Sequence, residues 1–254
     1  MGLANITYQK SLSPASFEEL KMNNRVDFKV YGKYALFTDP VTRIGGEKCS
    51  YHIPTYEALK GIAKSIFWKP TFIWFIDRVR IMRKIRTQAK NVKPMKFGGG
   101  NELSIYTYLI DVEYQIQAHF EWNFNRPDLE QDRISGKHFS IANRMIDRGG
   151  RQDIFLGTRE CQGYVEPCEF GEGQGAYDGY GNLDFGVMFH GFDYPDETGV
   201  NKLYSRFWRP VMQDGIVEFP KPDKCNADLR KYIRNMNPMP PKSARSEERR
   251  VGKE

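Results

Sequence analysis

A lysine and a histidine, Lys137 and His138, stand side by side in the polar turn DRISGKHF (132–139), directly before a helical run. An imidazole can move a proton near neutral pH, and an ammonium group can stabilise a developing negative charge. Metal-free cleavage of RNA needs a base for the ribose 2′-hydroxyl, an acid for the leaving 5′-oxygen and a cation for the phosphorane. The pair supplies two of these three group types.

The position of the pair in the chain also suits phosphate chemistry. A helix is predicted from about His138 to Arg148, with Gly149-Gly150 as its C-terminal stop. The dipole of such a helix would favour a neutral imidazole and a phosphate bound near its N-terminus. The spacing alone fits a plain polar start to a helix equally well.

Other kinds of catalytic centre find little support in the sequence. No Walker loop, dinucleotide fingerprint or nucleophile elbow is present, and the acidic residues show no metal-binding pattern. The cysteines lack CxxC spacing, which argues against a zinc site or a disulfide framework. We therefore expect no cofactor and no metal, and four reduced thiols: Cys49, Cys161, Cys168 and Cys225.

Composition and charge restrict the partners. The 254 residues carry a formal net charge of +6 and are 40% hydrophobic, so the chain can bury a core and should attract a polyanion, either nucleic acid or an anionic membrane surface. The longest apolar stretch, Thr71–Ile76, is too short to span a bilayer, and the first residues do not form a signal peptide. A cytoplasmic protein without a membrane partner is predicted.

Hydrophobic periodicity in residues 22–160 predicts the order strand, helix, strand, strand, helix, strand. This order is the split βαβ pattern of ferredoxin-like and RNA-recognition folds, so an α+β domain is expected.

Two further predictions concern single segments of this domain. His119 lies on the polar side of a strictly alternating strand (112–122) and is predicted at the surface, and the basic segment 84–100 is predicted as a solvated loop.

The remaining third of the chain has a different pattern. A glycine-rich stretch from Gly163 to Gly181 precedes predicted strands at 183–193, 202–212 and 216–219, which indicates a small antiparallel β domain over 161–225. Residues 226–254 are interpreted as a tail, and RSEERRVGKE (245–254) as the translation of a sequencing adapter. Residues 1–21 are interpreted as an extension or a misassigned start, since Met22 directly precedes the first strand.

Basic residues interleaved with aromatic ones suit single-stranded RNA, which offers both phosphates and base faces. Core packing explains many of the aromatic residues equally well. Five basic residues in loops and helices near the proposed site are the candidate RNA contacts: Arg43, Lys48, Lys69, Arg144 and Arg151.

Four longer stretches together resemble the type I-C CRISPR-associated proteins of the fifth Cas family, subtype d. They are YALFTDP (34–40), PTYEALKG (54–61), RQDIFLGTRECQGY (151–164) and HGFDYPDETG (190–199). The resemblance implies a RAMP-superfamily protein with a ferredoxin-like first domain and a small second β domain. It further implies metal-independent cleavage of precursor CRISPR RNA at the repeat hairpin, with the product retained in the type I-C surveillance complex.

The resemblance also assigns residues. The family's catalytic set, a tyrosine with a Lys-His pair, falls on Lys137, His138 and position 67, where this chain has Phe67. Phenylalanine has no hydroxyl group and cannot transfer a proton. The sequence therefore leaves two functions open: an endoribonuclease that makes CRISPR RNA, and a non-catalytic subunit that holds the 5′ tag of the guide RNA.

Overall fold

The computed structural model describes residues 24–95, 98–134 and 136–239. Residues 1–21 and 245–254, which were interpreted as an extension and an artefact, lie outside this part of the chain. Within it, mixed α/β structure is observed, and the strands pair in antiparallel fashion. The strands are β1 Arg25–Ala35, β2 Phe72–Ile81, β3 Thr87–Val92, β4 Ser104–Trp122, β5 Ile154–Phe155, β6 Gln162–Pro167, β7 Asn182–Asp184, β8 Met188–Asp193, β9 Lys202–Trp208, β10 Val211–Gln213, β11 Ile216–Glu218 and β12 Arg230–Asn235.

Three α-helices complete the described elements: α1 Tyr56–Ile66, α2 Lys137–Asp147 and the single turn α3 Pro195–Thr198. Helix α1 begins after Thr55, whose side chain caps it by accepting a hydrogen bond from the Ala58 amide at 3.2 Å. Its buried residues recur at helical spacing and are Tyr56, Leu59, Lys60, Ile62, Ala63 and Ile66. This face packs against β2 and β8, and the end of the helix leads to Phe67.

The strands build two sheets. The larger one has the order β5-β6-β1-β4-β2-β11-β10-β7, with β3 also paired to β4, and the smaller one has the order β12-β9-β8. Strand β4 lies between β1 and β2, and its Trp122 pairs with Phe72 at one end. Helices α1 and α2 contact each other on one side of the larger sheet. The position of Phe67 beside α2 follows from this packing.

The prediction that one side of β4 is exposed to water is wrong. Gln115, Gln117 and His119 are all buried. The glycine-rich segment covers Gln115, whose amide donates to Glu172 O at 2.7 Å and accepts from Gly171 N at 3.0 Å. Gln117 donates to Asp27 Oδ1 at 2.9 Å. Since each of these amides has partners, its burial costs little free energy.

His119 is likewise not a surface residue, because only 3% of it is exposed. Its Nδ1 lies 2.8 Å from Asp77 Oδ2 and its Nε2 lies 3.2 Å from Glu121 Oε1. Phe75 stacks on the ring with centroids 5.3 Å apart. Two carboxylates therefore contact this imidazole, one at each ring nitrogen. The alternation of polar and apolar residues in the strand does not indicate these contacts.

The basic segment 84–100 is also more ordered than predicted. Its residues Thr87–Val92 form β3, which pairs with β4 from Leu109 to Ser104. Lys90 lies over the Tyr34 ring at 3.3 Å from the centroid. Part of the predicted loop is therefore a strand, β3, which pairs with the beginning of β4.

The C-terminal third differs from its predicted strands. The stretch 183–193 is divided at Gly186, which has φ of 70°, and 202–212 is divided before Pro210, so each yields strands in two different sheets. Strand β6 pairs with β1, so the larger sheet includes residues on both sides of the boundary predicted at residue 160. The boundary itself stays a prediction. Residues 230–235, interpreted as tail, form β12 against β9.

Candidate active site

His138 lies at the second position of α2 and is fully buried. Three aromatic rings surround its imidazole, with centroid distances of 6.0 Å to Phe67, 5.3 Å to Phe72 and 5.6 Å to Trp122. The end of α1 supplies the first ring, and the paired strands β2 and β4 supply the other two. Aromatic residues of the core therefore hold His138 in position, in addition to the turn that precedes α2.

The hydrogen bond of His138 defines which ring nitrogen can act as a base. Its Nε2 lies 2.7 Å from the backbone carbonyl oxygen of Asp132, which can only accept a hydrogen bond. Nε2 consequently carries the proton in the neutral ring, and Nδ1 carries the lone pair. Nδ1 is buried and has no hydrogen-bond partner among the described residues. A basic nitrogen is thus held free within the site.

Asp132 connects the lysine and the histidine. Lys137 Nζ donates to Asp132 Oδ1 at 2.6 Å, and Thr71 Oγ1 donates to Asp132 Oδ2 at 2.7 Å. His138 Nε2 lies 3.4 Å from the same Oδ2. One residue therefore positions both members of the predicted pair, its carbonyl holding His138 and its carboxylate holding Lys137.

The Asp132 carboxylate has a pKa below its ordinary value and is ionised near neutral pH. Burial by itself raises its pKa, but the hydrogen bonds from Lys137 and Thr71, and the positive charge of Lys69, lower the pKa to about 2. A permanent negative charge thus holds the Lys137 ammonium group, which is partly exposed. A phosphate that approached this lysine would compete with Asp132 for it.

Phe67, which the resemblance assigns to the catalytic set, lies beside His138, with ring centroids 6.0 Å apart. Its ring is nearly parallel to the imidazole, with an interplanar angle of 25°, and only 2% of the residue is exposed. The Trp74 indole donates to the Phe67 carbonyl oxygen at 2.8 Å and thereby fixes its backbone. The three residues of the predicted catalytic set are therefore brought together, with no hydroxyl at position 67.

Two of the five candidate RNA contacts are tied to the surroundings of this site. The Lys69 charge acts on Asp132, and the Arg151 amide donates to Ile66 O at 3.1 Å, next to Phe67. Arg144 is exposed on α2, where its Nε donates to Ser140 O at 3.3 Å. Lys69 is the candidate most closely linked to Asp132.

Arg43 and Lys48 are not near His138. The Lys48 carbonyl accepts from Thr107 N at 2.8 Å, which places it near the beginning of β4, whereas His138 lies against Trp122 at the other end. At the usual rise per residue the stretch from Thr107 to Trp122 spans at most on the order of 50 Å, and less where the backbone turns at Asp111, which has φ of 49°. Arg43, exposed in the turn 42–45, precedes Lys48 in the same loop. Any RNA contact of these two residues is remote from the catalytic pair.

Sequence reasoning did not identify Asp132, Thr71 and Trp122 as members of the site. Asp132 stands five positions before Lys137, and an acidic residue so near a Lys-His pair is a signal that could have been used. Thr71 and Trp122 are distant in the chain and reach the site only because β2 pairs with β4. The sequence alone could not assign Thr71 and Trp122 to the site, because their positions depend on the register of β2 against β4.

Among the described residues, no helix is both long and apolar enough to cross a lipid bilayer. No three of their His, Cys, Asp or Glu side chains converge in an arrangement that could hold a metal ion.

Comparison with known families identifies the family of this chain. Residues 26–220 match the Cas5d family model, described as CRISPR-associated protein (Cas_Cas5). The match spans more than half of the chain, so the chain belongs to the Cas5d family of CRISPR-associated proteins. The family resemblance found in the sequence is thereby confirmed.

Two curated relatives carry the name CRISPR pre-crRNA endoribonuclease Cas5d. The protein of Thermus thermophilus is 29% identical over 196 residues, which cover 73% of this chain and 80% of the relative. The protein of Mannheimia succiniciproducens is 25% identical over 229 residues, which cover 78% of this chain and 96% of the relative.

Solved structures show the same fold. One, described as a CRISPR-associated protein, has a TM-score of 0.69 and 37% identity, and the match covers 80% of this chain and 95% of the other. A functionally uncharacterized protein from Streptococcus mutans has a TM-score of 0.67 and 39% identity, with 80% and 96% covered.

Proposed function

We propose that this protein cleaves precursor CRISPR RNA at the repeat hairpin without a metal ion and leaves a 2′,3′-cyclic phosphate. The product stays bound, and the protein acts in the cytoplasm as a subunit of the type I-C surveillance complex. One observation carries the catalytic part of the proposal: Asp132 holds both Lys137 and His138, at 2.6 Å and 2.7 Å, beside the ring of Phe67. The names of the two Cas5d relatives support RNA as the substrate.

The arrangement suggests a role for each group. His138 Nδ1, which carries the lone pair, is the base that takes the proton of the ribose 2′-hydroxyl. Lys137 exchanges its Asp132 partner for a phosphate oxygen and stabilises the charge that develops on the phosphorane. The bond to the 5′-oxygen breaks as the 2′-oxygen attacks, which closes the cyclic phosphate. Since position 67 offers no hydroxyl, water or Lys137 supplies the proton to the leaving oxygen.

His138 must become accessible for this reaction, because its ring is fully buried. A phosphate that draws Lys137 away from Asp132 would loosen Asp132, whose carbonyl oxygen holds the imidazole. Catalytic contacts that form fully only with substrate bound are common in enzymes. Binding of RNA and exposure of the base are thus one event in this proposal.

The order of strands supports the ferredoxin-like part of the prediction. Counting β1, β2, β4 and β6 as the four core strands, the spatial order is fourth, first, third, second, and all neighbours are antiparallel. Helix α1 connects the first strand to the second, and α2 connects the third to the fourth, as a split βαβ unit requires. We propose that this unit is a RAMP-type RNA-binding domain.

A second function, that of a non-catalytic subunit holding the 5′ tag of the guide RNA, is favoured by Phe67. A buried His138 beside a phenylalanine can pack and leave the RNA uncut. One assay decides between the two. The protein is incubated with its repeat RNA in EDTA, and the products are tested for a 2′,3′-cyclic phosphate end. Cyclic-phosphate product supports the nuclease, and bound but uncut RNA supports the holding subunit.

A further inference from the structure

A cavity of about 250 Å³ lies beside the catalytic residues on the side of Trp68. Trp68 and Tyr194 form part of its walls, and Asn123, Arg126 and Met239 lie around them. Trp68 is 39% exposed, although Phe67, which precedes it, is buried. The cavity is smaller than the roughly 300–1,000 Å³ pockets that enclose whole drug-sized ligands. Its size suits a single planar ring system.

The cavity shares a wall with the aromatic rings around His138. Phe72 lines the cavity, and its ring centroid lies 5.3 Å from that of the imidazole. Trp68 follows Phe67 directly in the chain and precedes Lys69, whose charge acts on Asp132. A ligand in the cavity would therefore lie close to His138, with the Phe72 side chain between them.

Arg133 ties the cavity to the catalytic turn. Its Nη2 donates to Asn123 O at 3.0 Å and to Arg126 O at 2.9 Å, and both of these residues line the cavity. Arg133 itself directly follows Asp132. A ligand in the cavity would thus hold the segment that positions Lys137 and His138.

The rim of the cavity carries charged groups beside its aromatic walls. Lys64 Nζ lies over the Tyr194 ring at 5.8 Å from its centroid and 3.2 Å from Glu197 Oε1, and Arg126 and Asp196 also line the cavity. Aromatic walls accept the flat, polarisable face of a base, and lysines beside them accept the attached phosphates. A lipid chain or an apolar peptide would leave this alternation of ring and cation unused.

We infer that this cavity binds one unpaired nucleobase of the RNA, the base next to the phosphate that lies at Lys137 and His138. The base stacks on Trp68 and faces Tyr194. This inference rests on the proposed function, because it takes RNA at the repeat hairpin as the ligand. It adds a specificity site, since the cavity admits a base only where that base is free of its pairing partner.

The test is a double-mutant cycle between Trp68 and single bases of the RNA. The repeat RNA carries a 2′-deoxy substitution at the cut site, so that binding is measured without cleavage, and abasic sites are introduced one at a time around that site. Dissociation constants are measured for the wild-type protein, Trp68→Ala and Trp68→Phe. Tyr180→Ala, which removes an exposed aromatic ring on the glycine-rich segment, is the matched control.

We expect one abasic position to weaken binding to the wild-type protein by about tenfold, the usual worth of a base–aromatic stack. The same abasic RNA should bind Trp68→Ala no more weakly than the intact RNA does. Trp68→Phe should restore most of the difference, because phenylalanine keeps a stacking face, and Tyr180→Ala should show the wild-type pattern.

Two results would overturn the inference in distinguishable ways. If the wild-type protein binds the repeat RNA but no abasic position is coupled to Trp68, the cavity holds no base, while the proposed function stands. If the wild-type protein does not bind the repeat RNA better than an unrelated hairpin, the proposed function fails and the inference fails with it. Melting temperatures of the variants separate loss of binding from loss of folding.

Discussion

The ring of Phe67 stacks on the imidazole of His138, with centroids 6.0 Å apart and an interplanar angle of 25°. Phe67 directly follows the last residue of α1, and His138 is the second residue of α2, so this contact joins the two helices at the candidate site. Phe72 contacts both rings, with its centroid 5.5 Å from that of Phe67 and 5.3 Å from that of His138. A hydroxyl group added to Phe67 would therefore enter the immediate surroundings of the catalytic base.

We predict that Phe67→Tyr raises the rate of cleavage of the repeat RNA by about tenfold or more, since a positioned proton donor contributes roughly 10²–10⁴-fold in enzymes. Single-turnover cleavage with protein in excess measures the change. Phe72→Tyr is the matched control, because it adds the same hydroxyl to another ring beside His138. An unchanged rate in Phe67→Tyr would show that position 67 takes no part in proton transfer.

His138→Ala should abolish cutting, with a loss of roughly 10²–10⁴-fold, and leave the dissociation constant for RNA largely unchanged. The reason is that His138 is buried and its proposed role is proton transfer and not charge attraction. His52→Ala, at an exposed histidine, serves as the control. Cleavage by His138→Ala at the wild-type rate would refute the assigned base.

The sequence predicted the helices better than the surroundings of the site. Capping by Thr55 and the helical spacing of Leu59 and Ile62 are local signals, and α1 lies where they indicate. The Lys-His pair is adjacent in sequence, so its proximity was certain in advance. These features depend on neighbours within a few positions.

What could not be predicted depends on distant pairings. His119 occupies a polar position in an alternating strand, and only the register of β2 against β4 brings Asp77 to it. The burial of Gln115 likewise requires the glycine-rich segment to fold over that side of the sheet. A polar residue can be exposed or buried with partners, and alternation alone does not distinguish the two.

Asp132→Asn should lower the cleavage rate by about tenfold while RNA binding stays equal or tightens. The carboxamide cannot hold the Lys137 ammonium as the ionised carboxylate does, but removal of a negative charge favours a polyanion. The Asp132 carbonyl that contacts His138 is retained in this variant. Single-turnover rates and dissociation constants measured separately test the prediction, and Asp132→Glu should recover part of the rate. Loss of binding in Asp132→Asn would contradict a positioning role.

The stability of the protein should fall as pH rises above neutrality because of His119. Burial alone lowers the pKa of His119, but the hydrogen bonds with Asp77 and Glu121 outweigh burial and raise it. A folded-state pKa above the unfolded value of about 6.5 stabilises the fold fully below that pH, and the stabilisation is lost as pH rises through the folded pKa. Urea unfolding at a series of pH values measures this dependence.

His119→Gln is the variant that isolates this effect. It should lower the free energy of unfolding by about 1–3 kcal/mol at mildly acidic pH, because it leaves the partly buried Asp77 without its cation and leaves Glu121 with Lys221 alone. The difference from the wild type should shrink as pH rises. His52→Gln, at an exposed histidine, should leave the pH dependence unchanged. A constant difference across the pH range would show that His119 is neutral in the folded protein.

Lys69 and Arg43 should affect the reaction in different ways, because only Lys69 lies close enough to act on Asp132. Lys69→Ala is expected to lower both RNA affinity and the single-turnover rate, whereas Arg43→Ala is expected to lower affinity alone. Each loss of a phosphate contact should reduce the slope of log affinity against log salt by about 0.7–0.9. Measurement of both quantities over a range of salt concentrations separates an RNA contact from a catalytic one. A reduced rate at saturating protein in Arg43→Ala would contradict this prediction. It would mean that RNA bound near the beginning of β4 also aligns the scissile phosphate.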